Sequence, residues 1–128
     1  MKAHAEFNLV ARARSFRYAA RGLFAVLAFQ HNAWIHAVAT GLVLAAGLFF
    51  GLSALEWCVV ALAIALVWAA EAFNTALEIL CDVVSPEFHP LVEKVKDAAA
   101  GAVLICALAA AGVGLILFGS HVASWLSP

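Results

Sequence analysis

Three apolar runs, Ala33–Leu52, Trp57–Ala70 and Ala98–Gly119, fix the solvent in which this chain can fold. The first and third are each about 20 residues long, enough at about 1.5 Å of rise per residue to cross a hydrocarbon core about 30 Å thick. The second holds fourteen uninterrupted apolar residues, which cover only about 21 Å as a helix. A spanning helix there must draw the polar residues that follow beneath the membrane surface. Of the whole chain, 66% is hydrophobic and 12% charged, about half the usual charged share of a soluble domain. The expectation is an all-α membrane protein in one domain, residues 1–128, with spans near 33–52, 57–80 and 98–119.

The polar residues drawn inward are Glu71, Asn74, Thr75, Glu78 and Asp82. They fall at i, i+3, i+4, i+7 and i+11, so a helix stacks all five on one face. A carboxylate near mid-bilayer costs about 2.5–3.5 kcal/mol on insertion scales, and ionisable groups at that depth mark function by default. Helix–helix glue in an oligomer, with Asn74 and the carboxylates pairing between subunits, is the structural alternative.

Charge distribution sets the expected topology. All seven basic residues lie within Lys2–Arg21 or at Lys94 and Lys96, and none in Gly51–Glu56 or Ser120–Pro128. The positive-inside rule then puts the N-terminus and the 81–97 loop in the cytoplasm and the C-terminus outside. Residues 14–29 read as an amphipathic surface helix, with Phe16, Ala20, Leu23, Phe24 and Leu27 on one face and Arg14, Arg17 and Arg21 to another side. The apolar run Gly22–Phe29 after these basic residues has the look of a signal peptide. Its interruption at Gln30-His31-Asn32 and the span that follows argue against cleavage. Cys58, Cys81 and Cys106 lack metal-like spacing and read as reduced packing residues.

Elsewhere the plain explanations are sufficient one at a time. Gln30, Asn32 and His36 suit the entry of a span, and Glu56 a helix start. Ser85-Pro86 ends the second span, and Pro90 keeps the 83–95 segment non-helical or turns it again. Glu87 and His89 suit a solvated loop, Lys96 a positive-inside anchor, and Asp97 an N-cap for the third span. Taken together, however, they set a lysine and several acceptors at the mouth of the carboxylate stripe. Ala98/Ala102 and Ala110/Gly114 permit close helix approach. The sequence carries no P-loop, zinc-type cluster, Ser/His/Asp arrangement or nucleic-acid patch.

Oxygen ligands, one lysine and a membrane-depth carboxylate suit Mg²⁺-dependent phosphoryl transfer from ATP to a lipid alcohol. Such a reaction needs a base for the hydroxyl proton and cations for the moving phosphate. Mg²⁺ is content with one or two carboxylates plus phosphate oxygens and water. The same residues permit an ion or proton carrier relaying through Glu71 and Glu78, or a non-catalytic membrane scaffold.

The pattern Glu71-x-x-Asn74-Thr75-Ala76-x-Glu78-x-x-x-Asp82, followed by Lys96-Asp97-x-x-Ala100-x-Ala102-Val103-Leu104, resembles the prokaryotic diacylglycerol kinase/undecaprenol kinase family. The likeness extends from Phe16-Arg-Tyr18-Ala-Ala-Arg21-Gly22 through the third span. It implies a homotrimeric lipid kinase of the bacterial inner membrane, with active sites shared between subunits. It also implies Glu71 as catalytic base, Glu78 as a ligand of Mg²⁺ and of the nucleotide phosphates, and Lys96-Asp97 as an ATP-binding pair. Tyr18, Glu87 and His89 correspond to further nucleotide contacts, and Asn74 and Asp82 to polar residues near the centre. Gln30 departs from the pattern: it stands where many members carry the second metal-binding Glu, so it retains an oxygen ligand but adds no charge. Asn32-x-x-Ile35-His36 and Asn74-Thr75-Ala76 are similar to the undecaprenol kinase branch, which makes undecaprenol the expected acceptor and diacylglycerol the alternative.

Overall fold

The computed structural model describes residues 8–127. Lys2, in the basic N-terminal cluster, and Pro128, at the end of the tail, lie outside the described residues. The described residues form four helices: α1 (Leu9–Phe29), α2 (His31–Phe50), α3 (Ala54–Val84) and α4 (Pro90–Leu126). Three of them, α2, α3 and α4, are long and apolar enough to cross a membrane.

Each helix boundary has a local chemical cause. Asn8 starts α1, its Oδ1 accepting the Val10 and Ala11 N–H groups at 2.9 and 3.3 Å. The helix therefore begins five residues ahead of the position expected from its charge pattern. Gln30, extended at φ −116° and ψ 117°, separates α1 from α2 as a single non-helical residue. Gly51 closes α2 in the left-handed region at φ +67°, while Leu52 N–H returns to the Gly47 carbonyl at 3.1 Å. Glycine adopts that conformation without a Cβ penalty. Ser53 and Glu56 then form a reciprocal capping box at the start of α3, satisfying donors that a helix N-terminus otherwise leaves open.

The start of α4 corrects the sequence-based expectation. Residues 90–95 are helical, and Asp97 lies two turns inside α4 rather than at its N-cap. His89 is the cap, its Nδ1 accepting Leu91 N–H at 3.2 Å. Pro90 occupies the first turn, where the missing N–H forfeits no helical bond and the fixed φ already suits a helix. A residue that reads as a breaker within a run is here an initiator. It lengthens α4 to 37 residues, about 55 Å of helix.

Helices α3 and α4 pair most extensively, and α1 and α2 pack more lightly on α3. Trp68 Nε1–H donates to Thr40 Oγ1 at 3.1 Å, tying α3 to α2. The burial pattern is inverted relative to a soluble protein. Leu48, Phe49, Leu115 and Ile116 are each at least 72% exposed, and the largest fully buried side chain is Glu71. In water that arrangement is untenable, whereas hydrocarbon accepts exposed Leu and Phe without cost.

Candidate active site

The C-terminal half of α3 turns Glu71, Asn74 and Thr75 inward, and these are the only buried polar residues among those described. Thr75 Oγ donates to the Glu71 backbone carbonyl at 2.9 Å, a bond within one helix that spends the hydroxyl locally. Glu71 itself is 1% exposed. Its Oε2 lies 3.8 Å from His36 Nε2 on α2, and its Oε1 has no hydrogen-bond partner. Asn74 Oδ1 is likewise buried without a partner. Buried acceptors are almost always satisfied, so two orphans a turn apart call for an explanation.

Both orphans belong to residues lining a cleft of about 240 Å³, which also receives Asn32, His36, Glu78 and Ala100. Glu78 is half-buried and held from two sides. Asn74 Nδ2 donates to its Oε1 at 3.3 Å, and Gln30 Nε2 donates to its Oε2. Gln30 is thereby brought from the α1–α2 junction onto the stripe, 48 residues away in sequence.

One turn beyond Glu78, the stripe enters a second cleft of about 320 Å³. Asp82, Glu87, His89, Lys96 and Asp97 line it, where the end of α3 faces the start of α4. Lys96 Nζ meets Asp82 Oδ1 at 2.5 Å. Because His89 Nδ1 is occupied as a cap, its Nε2 is the nitrogen left for a ligand. Tyr18 lines neither cleft; it is exposed, with the Arg17 guanidinium 5.8 Å from its ring centroid. Apart from Tyr18, and with Gln30 reaching in through Glu78, the expected site residues thus fall into an apolar-walled acid cleft and a charged cleft, joined by the Glu78–Asp82 turn.

Among the described residues, no three His, Cys, Asp or Glu side chains converge as a metal-binding group. The Glu78 carboxylate and the Gln30 amide make a hard but sparse oxygen set. That fits Mg²⁺, which takes few protein ligands and fills its octahedron with phosphate oxygens and water. To ligate, the amides now donating to Glu78 must turn aside.

Sequence spacing did not reveal His36 as a neighbour of Glu71, nor His121 as a partner of Glu56 at 2.8 Å. Both pairs join different helices, beyond any periodicity rule.

Three helices long and apolar enough to cross a membrane, with a buried, incompletely bonded acid beside a lysine-bearing cleft, fit a multi-pass membrane enzyme. Residues 17–118 match the prokaryotic diacylglycerol kinase family. The chain belongs to that family and is a lipid kinase. It is 37% identical over 105 residues to the undecaprenol kinase of Bacillus subtilis, covering 82% of this chain and 85% of that one. It is 43% identical over 101 residues to the diacylglycerol kinase of Synechocystis sp., covering 78% of this chain and 58% of that one.

Proposed function

We propose that the protein transfers the γ-phosphoryl group of ATP to the hydroxyl of undecaprenol, giving the lipid phosphate and ADP. The observation that carries this is the buried Glu71 carboxylate, with one oxygen unpartnered in a cleft that adjoins the charged cleft around Lys96. In the proposed step, the lipid hydroxyl enters beside Glu71, which takes its proton as the new O–P bond forms. The bond from the γ-phosphorus to the β–γ bridging oxygen breaks, and ADP leaves with that oxygen. Lys96 supplies a point charge to the phosphates, with Asp97, Glu87, His89 and Tyr18 as further nucleotide contacts. Asn74 and Asp82 orient the groups on either side of Glu78. Mg²⁺, held by Glu78 with Gln30, would neutralise charge on the phosphoryl oxygens.

The wider arrangement we propose is a single-domain homotrimer in the bacterial inner membrane, with active sites shared between subunits. The amphipathic face of α1 lies on the cytoplasmic surface, the 81–97 segment faces the same side, and the C-terminus faces outward. The basic residues of α1 and of the 94–96 region support that orientation.

Diacylglycerol is the second acceptor to consider, because the Synechocystis sp. relative bearing that name is 43% identical. Undecaprenol is preferred on Asn32-x-x-Ile35-His36, three residues of which line the acid cleft. Purified protein in mixed micelles, given ATP-Mg²⁺ and each lipid in turn, tests both. Labelled phosphate in undecaprenol supports the proposal; label in diacylglycerol alone reverses the substrate. Flux of ions through sealed vesicles without ATP would favour a carrier instead.

A further inference from the structure

The geometry points to His36 as a positioning residue for Glu71, acting through the carboxylate rather than on the lipid or the nucleotide. This rests on Glu71 being the base, as proposed above. His36 Nε2 lies 3.8 Å from Glu71 Oε2. The other carboxylate oxygen, Oε1, is buried and unpartnered. A carboxylate can exchange its two oxygens by rotating about its last side-chain bond, and a base so free spends much of its time misaimed. An N–H donor on Oε2 removes that freedom and leaves Oε1 to receive the hydroxyl proton.

The separation is longer than a hydrogen bond, as catalytic contacts commonly are before the reactants are in place. The surroundings favour its closing. The His36 side chain is 15% exposed and that of Glu71 is 1% exposed, so little water competes for the contact. His36 also occupies a seam. It lines the acid cleft and, together with Ile35 and Ala107, an apolar groove of about 250 Å³ that runs on between α2, α3 and α4. A donor at that seam meets Glu71 at the depth where a lipid hydroxyl changes from apolar to polar surroundings. Glu78 is the other carboxylate in the cleft, and its oxygens are already taken by Gln30 and Asn74. His36 thus brings a nitrogen from α2 to within 4 Å of Glu71.

The test compares His36→Leu, His36→Gln and His36→Asn with the parent, in micelles with ATP-Mg²⁺ and the lipid acceptor. A Gln amide nitrogen reaches the place of Nε2, whereas an Asn amide stops at that of Nδ1. Misplacing a reacting group by about 1 Å can cost about 100-fold. His36→Leu should therefore lower kcat by about 10- to 100-fold and leave KM for ATP-Mg²⁺ within about twofold. His36→Gln should recover to within about threefold of the parent, and His36→Asn should stay slow. In a Glu71→Gln background, His36→Leu should add less than about a twofold further loss, because the group it acts through is already gone.

Parent-like kcat in His36→Leu, equal rates for the Gln and Asn variants, or a full additional loss in the double variant would each overturn the inference. If His36→Leu fails to fold, the Gln-against-Asn comparison still decides. Full activity of Glu71→Gln alone overturns the base assignment beneath it. A slow Glu71→Gln beside a fast His36→Leu removes only the role of His36.

Discussion

Helix α3 carries two glutamate–histidine pairs, one in its first turn and one just past its midpoint, and they are built in opposite ways. At the N-terminal end, Glu56 Oε1 meets His121 Nε2 at 2.8 Å, and its Oε2 accepts both the N–H and the hydroxyl of Ser53 at 2.7 Å. The Phe50 ring lies against His121, centroids 5.8 Å apart. Both side chains remain part-exposed, at 24% and 30%. About 22 Å further along the helix, Glu71 is sealed from solvent, stands 3.8 Å from its histidine and leaves one oxygen without a partner. A carboxylate with both oxygens engaged at a helix start holds structure together. One that is buried and incompletely bonded retains the capacity to take a proton. Residue types are the same in both pairs; burial and unmet valence separate their roles.

The largest effect that can test this contrast is the loss of each acid in turn. Glu71→Gln is nearly isosteric and removes only the basic oxygen, and general-base contributions run to about 10²–10⁴-fold. Turnover should fall by about three orders of magnitude with the assembly intact by size-exclusion chromatography. Glu56→Gln should leave kcat within about twofold of the parent, since it lies outside both clefts. If the two variants are equally active, the contrast drawn here is wrong.

Next in size are changes at the charged cleft, the proposed nucleotide end. Lys96→Met removes the ammonium that pairs with Asp82 at 2.5 Å in the charged cleft. A phosphate-binding charge acts mainly on substrate binding, so KM for ATP should rise about tenfold, with a smaller change in kcat. Gln30→Glu should act in the opposite sense on the metal. It adds a negative charge beside Glu78, and ligand charge count tunes cation affinity. The Mg²⁺ concentration giving half-maximal rate should drop by about tenfold. An unmoved Mg²⁺ dependence would show that Gln30 is not a ligand.

The contrast between the two pairs also marks how far the sequence can be read unaided. The stripe was legible because Glu71, Asn74 and Glu78 obey one helical period, and the folded α3 brings these three to one cleft. The break at Ser85-Pro86 was legible for the same local reason. Pro90 misled, because a proline that stops a helix and one that starts it look alike until the cap before it, His89, is seen. Gln30 on Glu78, His36 by Glu71 and His121 on Glu56 link residues 48, 35 and 65 apart. No local rule pairs residues so far apart in sequence; packing alone decides them. Glu56 was correctly a helix-start charge, yet its second anchor on α4 was invisible.

The smallest expected effects belong to the N-terminal end of α3, and they are the finest probe of the division of labour. Ser53→Ala removes the hydroxyl of the capping box, and losing a Ser N-cap costs about 1 kcal/mol. Gly51→Ala forces a Cβ into the left-handed region at φ +67°, a strain of about 1–2 kcal/mol. Gly51 has no neighbouring atoms in the way of a Cβ, so that cost is conformational rather than steric. Each variant should lower the thermal midpoint in detergent by a few degrees and leave kcat and KM unchanged, because neither residue lines either cleft. The two losses should also combine with less than full additivity, since Gly51 and Ser53 shape the same short turn between α2 and α3. A fall in kcat without a fall in midpoint would mean that the α2–α3 turn sets the register of α3 and hence the aim of Glu71. The start of the helix and its middle would then be coupled parts of one device rather than separate ones.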